Sequence, residues 1–167
     1  MFFKQQTTVT VANDGTKPEL NPGTALSGAT TEFTASLWVH PLQNRATTVA
    51  LMSHNFTINL KRDAAVTVLV GGSLVASSAG VAPLNQWTHV ALTWRKTGTA
   101  QSEMCLYVNG TAVASPLVLA FDQLSLSSSP IVIGCPNNPG VAVSTDAVIL
   151  LDEVALKNSA LVAKDIA

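Results

Sequence analysis

The segment 87–94 (Trp-Thr-His-Val-Ala-Leu-Thr-Trp), followed by 106–110 (Leu-Tyr-Val-Asn-Gly), constrains the fold more than any other part of the sequence. Val90 and Leu92 alternate with polar or small residues, which places one set of side chains on a core face and the other on the opposite face of a strand. Asn109-Gly110 is the typical dipeptide of a type I′ turn, so the chain is expected to reverse direction there. The intervening residues 95–102 are small and polar and include a glycine, so we expect them to form a polar turn between the two strands. The pattern predicts antiparallel strands and excludes an amphipathic helix.

The same alternation recurs along the chain and predicts a protein built almost entirely from short strands. Strands at intervals of about 8–12 residues are typical of a β-sandwich or barrel. The end of the chain differs, because Leu161, Lys164 and Asp165 have a helical spacing and Ser159 can cap a short helical turn. We therefore expect one all-β domain spanning residues 1–167 with a short C-terminal helical turn. The further predicted strands are 8–12, 33–39, 47–54, 56–61, 65–70, 73–77, 111–114, 130–134 and 147–156.

Composition and charge exclude several classes of partner and location. The net charge is −1 and the nine Lys and Arg residues are scattered, so there is no basic patch for nucleic acid. There is no apolar run of about 18 residues, which argues against a membrane-spanning helix. The first residues lack the apolar stretch of a secretory signal, so the sequence leaves the compartment open. Cys105 and Cys135 fit no metal or redox motif; we expect buried thiols, and a single disulfide stays open.

Three stretches, in this order, resemble the laminin G-like jelly rolls of the concanavalin A-like lectin/glucanase superfamily: residues 33–39, then 87–94 with 106–110, and finally 151–156 before Ala160-Leu161. The resemblance implies a two-sheet antiparallel jelly-roll sandwich with one concave sheet. It also implies a recognition module for glycans or proteins, with an extracellular or cell-surface location. Residues 136–145 depart from the family pattern, because they contain no aromatic before the last long strand.

Four side chains are candidates for ligand binding. Sugar recognition uses an exposed aromatic ring for stacking and polar neighbours for orientation. Trp38 and His40 lie on the face opposite to Leu37, and His89 and Tyr107 also lie opposite the core residues of their strands. We therefore predict that these four line one open sheet face. The alternatives are that Trp38 caps the sheet edge or is covered by a loop, and that His89 is a packed or hydrogen-bonded structural residue. Trp87 and Trp94 are expected to be packing residues.

Calcium is the cation that this sequence could bind, through Asp14 and Asp152. Calcium takes six to eight oxygen ligands, which a rim loop can supply. The two carboxylates meet at one rim if the first and last strands are neighbours, as the resemblance implies. The alternative is that Asp152 accepts hydrogen bonds at a turn or at the end of a strand.

The acidic residues argue against catalysis. The ten Asp and Glu residues form no acid-x-acid repeat, and in a regular strand Asp152 and Glu153 point to opposite sides. We therefore predict a non-catalytic module whose partner is most simply a carbohydrate, on the concave sheet face or on rim loops. The alternative is a structural, assembly or protein–protein interaction domain that forms homo-oligomers through its aliphatic surface.

Overall fold

The computed structural model describes residues 9–10, 19–20, 28–42, 48–53, 56–71, 73–113, 115–122, 124–126, 131–135 and 149–166. These residues form short and medium-length strands and a C-terminal 3₁₀ turn at Ala163–Asp165. The strands are β1 (Val9–Thr10), β2 (Glu19–Leu20), β3 (Gly28–Thr30), β4 (Glu32–Pro41), β5 (Val49–Ser53), β6 (Phe56–Leu60), β7 (Val66–Val70), β8 (Ser73–Ser78), β9 (Thr88–Gly98), β10 (Gln101–Val108), β11 (Thr111–Ala112), β12 (Leu117–Leu119), β13 (Leu124–Leu126), β14 (Ile131–Cys135) and β15 (Ile149–Lys157).

Two large antiparallel sheets dominate the described part of the chain. Sheet 1 has the order β1-β15-β4-β9-β10-β11, with β12 also paired to β10. Sheet 2 has the order β2-β14-β5-β6-β7-β8, and β3 with β13 forms a separate ladder. Strands that are distant in sequence, such as β4 and β15, are neighbours in sheet 1. The predicted all-β, two-sheet antiparallel sandwich is therefore confirmed.

The core lies between the two sheets, as the alternation predicts. Every second residue of β4 from Phe33 to Val39 is fully buried, and so are Val90, Leu92 and Trp94 of β9. The rings of Phe33 and Trp94 stack within sheet 1, and Phe33 also stacks on Phe56 of sheet 2 with ring centroids 5.1 Å apart. This contact joins the sheets directly, because its two rings come from facing strands.

Several connections differ from the sequence prediction. Asn109 and Gly110 both have positive φ (49° and 74°), which confirms the turn predicted there. Residues 95–102, expected to form a polar turn, instead mostly extend β9 and β10, because two residues suffice to reverse the chain between Gly98 and Gln101. The single-turn 3₁₀ helix confirms the C-terminal helical turn, but its N-cap is Val162 and not Ser159, whose carbonyl bonds to Thr34.

Two further sequence expectations concern the cysteines and the membrane. Cys105 is buried and keeps its thiol. The side chain of Cys135 lies outside what the structure describes. Within the described ranges, the protein contains no helix with the length and apolar character needed to cross a membrane.

Candidate functional site

The outer face of sheet 1, which points away from sheet 2, carries the aromatic and histidine side chains predicted to bind a ligand. Trp38 of β4 and His89 of β9 are directly opposite each other in the register of the two strands. Their ring centroids are 5.1 Å apart and their planes are tilted by 47°. Both side chains are half-buried, so each keeps part of its surface accessible. This pair confirms that Trp38 and His89 share a face opposite the core.

Trp38 and His89 line a cavity of about 340 Å³, which we call the Trp38 hollow. Its floor is the outer face of sheet 1, and its wall comes from β15 and from the C-terminal segment, residues 158–166. The volume is in the range of small-ligand sites, and most of the lining surface is apolar. Further lining residues include Ser36, Ala91, Glu153, Lys157, Asp165 and Ile166.

Glu153 enters the hollow because β15 is not regular at this point. The pairing of β15 with β4 shifts between Asp152, opposite Trp38, and Ala155, opposite Ser36. Glu153 has a positive φ of 45°, which a non-glycine residue adopts at a cost. Such a β-bulge breaks the strict alternation of side chains. The expectation that Asp152 and Glu153 lie on opposite sides assumed a regular strand, and that assumption is wrong here.

The C-terminal segment is attached to the outer face by one side chain of β4. The Thr34 hydroxyl donates to the Ser159 carbonyl at 2.7 Å and accepts from the Leu161 N–H at 2.9 Å. Beyond these bonds, Ile166 is buried against the sheet. The face predicted to be open is therefore partly covered, and the covering segment itself contributes to the wall of the hollow.

Tyr107 lies on the same face but not in the same hollow. It lines a smaller cavity of about 150 Å³ together with Thr93, Cys105 and residues of the C-terminal segment. Leu161 lines both cavities and stands between them. Burial raises the pKa of the Tyr107 hydroxyl, and a hydrogen bond with the Cys105 thiol raises it further. The prediction of one common face is correct for sheet position but not for a shared cavity, because the C-terminal segment divides the face.

His40 is also separate from the Trp38 hollow. Its ring lies 5.0 Å from that of Trp87, and its Nδ1 is buried without a hydrogen-bond partner among the described residues. Trp87, expected to be a packing residue, is 42% exposed. Trp87 directly precedes β9 and has the parity of His89, opposite to that of the buried Val90 and Trp94, so the alternation does not direct it into the core.

The predicted calcium site is described only in part. Asp14 lies outside the described residues, whereas the Oδ1 of Asp152 accepts the N–H of Glu153 at 2.7 Å. The strands β1 and β15 do pair. Val9 lies opposite Leu151 and Thr10 opposite Leu150, so the paired position on β15 moves away from Asp152 as β1 proceeds. Within the described ranges, no three His, Cys, Asp or Glu side chains are grouped as metal ligands. The calcium site stays a prediction.

The environment of His89 makes stability depend on pH. Desolvation lowers the pKa of His89 below its ordinary value of 6.5, and the Glu153 carboxylate partly opposes this by raising it. As the pH falls below about 6.5, the unfolded chain binds a proton that the folded protein does not, so the free energy of unfolding decreases. We expect this loss to continue down to the folded pKa and to be absent above pH 6.5.

The measurement is urea denaturation at several values between about pH 5 and 7.5, for the wild type and for His89→Gln. The variant should have a shallower pH slope. In Glu153→Gln, an NMR titration should place the pKa of His89 lower still. A slope that is identical in wild type and His89→Gln would contradict the assignment.

Comparison with known families agrees with this fold. The sequence matches a laminin G-type family model, described as the concanavalin A-like lectin/glucanases superfamily, over residues 12–167. The chain belongs to this superfamily. A comparison of this concanavalin A-like domain with curated proteins found no match.

Solved structures similar to this concanavalin A-like domain include a CBM40, a neurotoxin binding domain and a sialidase. The CBM40 of the Ruminococcus gnavus IT-sialidase, bound to α2,3-sialyllactose, has a TM-score of 0.68 at 13% identity, with 97% of this chain and 96% of that chain covered. The botulinum neurotoxin serotype G binding domain has a TM-score of 0.69 at 12% identity, with 99% of this chain and 43% of that chain covered. A Trypanosoma rangeli sialidase has a TM-score of 0.66 at 18% identity. The match covers 96% of this chain but only 27% of the sialidase. At these identities the likeness shows the fold alone.

Proposed function

We propose that this concanavalin A-like domain is a non-catalytic carbohydrate-binding module that holds a sugar in the Trp38 hollow. The observation that carries the proposal is the half-buried Trp38–His89 pair on the floor of a cavity of about 340 Å³. An indole ring gives an apolar sugar face a stacking surface, and the surrounding polar groups orient its hydroxyls. The fold shared with a CBM40 in complex with sialyllactose supports this use of the scaffold.

Trp38 is expected to supply the largest single share of affinity. Aromatic contacts contribute about 0.5–1.5 kcal/mol beyond the area they bury, so Trp38→Ala should weaken binding about tenfold. A glycan array identifies the ligands, and isothermal titration calorimetry with each hit measures the loss.

Trp87→Ala is the matched control, because Trp87 is exposed, neighbours the same sheet and does not line the hollow. It should bind like the wild type. An array without hits, or equal affinities for Trp38→Ala and the wild type, would refute glycan binding in this hollow.

The hollow does contain two carboxylates, Glu153 and Asp165, which sequence spacing did not reveal. Glycoside hydrolysis uses an acidic pair of this kind, with one carboxyl kept protonated by an apolar environment. Both side chains here are exposed to solvent, which favours binding over acid catalysis. Release of reducing ends from a polysaccharide panel, lost in Glu153→Gln or Asp165→Asn, would overturn the non-catalytic assignment.

Assembly is the second candidate, and exposed apolar residues on edge strands favour it. Leu74 of β8 is 61% exposed and Val118 of β12 is 63% exposed. β8 lies at the end of sheet 2 and carries no charged residue, which is an unprotected edge. Light scattering over a range of protein concentrations separates the two functions: an oligomer together with a silent glycan array would favour assembly.

A further inference from the structure

The charged side chains that line the Trp38 hollow disfavour ligands with a negative charge. Glu153 and Asp165 line the hollow from different elements, β15 and the C-terminal 3₁₀ turn. Lys157 is the cation among the described lining residues, and it already has an interaction partner. The lining that the structure describes contains no arginine. The hollow therefore has more negative than positive charge.

His89 does not offset this charge at neutral pH. Desolvation lowers its pKa, so the imidazole on the floor of the hollow is neutral near pH 7. The Glu153 carboxylate reaches it, since that charge raises the His89 pKa against the effect of burial. The field of Glu153 thus extends over the position that a sugar stacked on Trp38 would occupy.

The apolar walls strengthen this field. The Glu153 and Asp165 side chains are themselves exposed to water, but Trp38, Ala91, Leu161 and Ile166 border the hollow and exclude water from the space that a bound ligand would occupy. Charges that face a site with low-dielectric walls act more strongly on a ligand than the same charges on an open surface. A carboxylate brought into the hollow would be repelled, whereas hydroxyl and ammonium groups would donate hydrogen bonds to Glu153 and Asp165.

We infer that the Trp38 hollow selects neutral and cationic sugars and rejects sugar acids. This inference rests on the proposed function, because it names the ligand class for the same hollow. It sets this domain apart from the similarly folded CBM40, whose structure contains α2,3-sialyllactose. The physical basis is the pair Glu153 and Asp165 beside a neutral His89.

The test uses sugars that share one ring and differ in charge. Titration calorimetry at pH 7 measures binding of glucosamine, glucose and glucuronate, and of the corresponding galactose series, together with lactose and α2,3-sialyllactose. We expect the cationic sugar to bind more tightly than the neutral one, and the neutral one more tightly than the acid. The two ends of a series should differ by at least about tenfold at low salt, and the difference should shrink as salt screens the carboxylates.

The double variant Glu153→Gln/Asp165→Asn should reduce this ratio to about two or less. Glu32→Gln is the matched control, because Glu32 is an exposed carboxylate at the start of the Trp38 strand and does not line the hollow. It should keep the wild-type ratio. Tighter binding of the sugar acids, or a ratio unchanged in the double variant, would overturn the inference while leaving glycan binding intact. Binding of none of these sugars, together with a silent array, would refute the proposed function and this inference with it.

Discussion

Trp94→Ala is expected to destabilise the domain by about 3–5 kcal/mol, the usual cost of emptying a buried aromatic site. Trp94 is fully buried, and its ring stacks on Phe33 with centroids 5.9 Å apart and planes at 24°. Phe33 in turn stacks on Phe56 of sheet 2, so the loss weakens the contact that joins the sheets. Urea denaturation followed by circular dichroism measures the change. For a domain of this length each kcal/mol lowers the melting temperature by about 2–4 °C.

Trp87→Ala provides the matched control at the other end of the same segment. Trp87 is 42% exposed, and removal of a partly exposed side chain of this kind should cost less than about 1 kcal/mol. Trp94→Phe should cost less than Trp94→Ala, because phenylalanine keeps an aromatic ring that can pack on Phe33, whereas alanine leaves a larger cavity. Equal losses of stability for Trp94→Ala and Trp87→Ala would mean that the stack does not join the sheets as described.

Thr34→Val is expected to release the C-terminal segment from sheet 1. Valine keeps the shape of threonine but removes the hydroxyl that bonds to both the Ser159 carbonyl and the Leu161 N–H. Thr34 is 2% exposed, so water cannot easily replace it, and a lost buried partner costs about 1–3 kcal/mol. Hydrogen exchange followed by mass spectrometry should show faster exchange in residues 158–166 and unchanged exchange in β4 and β9.

Thr34→Ser is the control, because serine keeps the hydroxyl and loses only a methyl group. It should retain slow exchange at Leu161. If Thr34→Val leaves exchange in residues 158–166 as slow as in the wild type, the two hydrogen bonds do not hold the segment, and burial of Ile166 alone would account for its position.

The sequence predicted the strands and the inward residues of β4 and β9 well, because a sheet buried on one face imposes a period of two on its side chains. It predicted Trp38 and His89 on a common face for the same reason. Periodicity reports which side of a strand a residue occupies, not what lies above that side. For this reason the separation of Tyr107 from Trp38 could not be foreseen.

The acidic residues of the hollow were missed for a related reason. Glu153 reaches the hollow through a bulge, and nothing in the aliphatic sequence of β15 marks where an extra residue is inserted. Asp165 reaches it because the C-terminal segment folds back over sheet 1, held by bonds between residues more than a hundred positions apart. The spacing of residues in the sequence contains no signal for contacts between residues so far apart along the chain. The sequence does show the adjacent acidic residues Asp152 and Glu153, but the prediction of which sides they occupy assumed a regular strand.

Leu161 lines both cavities, so the C-terminal segment separates Trp38 from Tyr107 along the outer face of sheet 1. If the Trp38 hollow binds a sugar as proposed, a polysaccharide running straight on towards Tyr107 would meet this segment. Under that proposal, the hollow would suit chain ends and short branches more than the interior of a fibre.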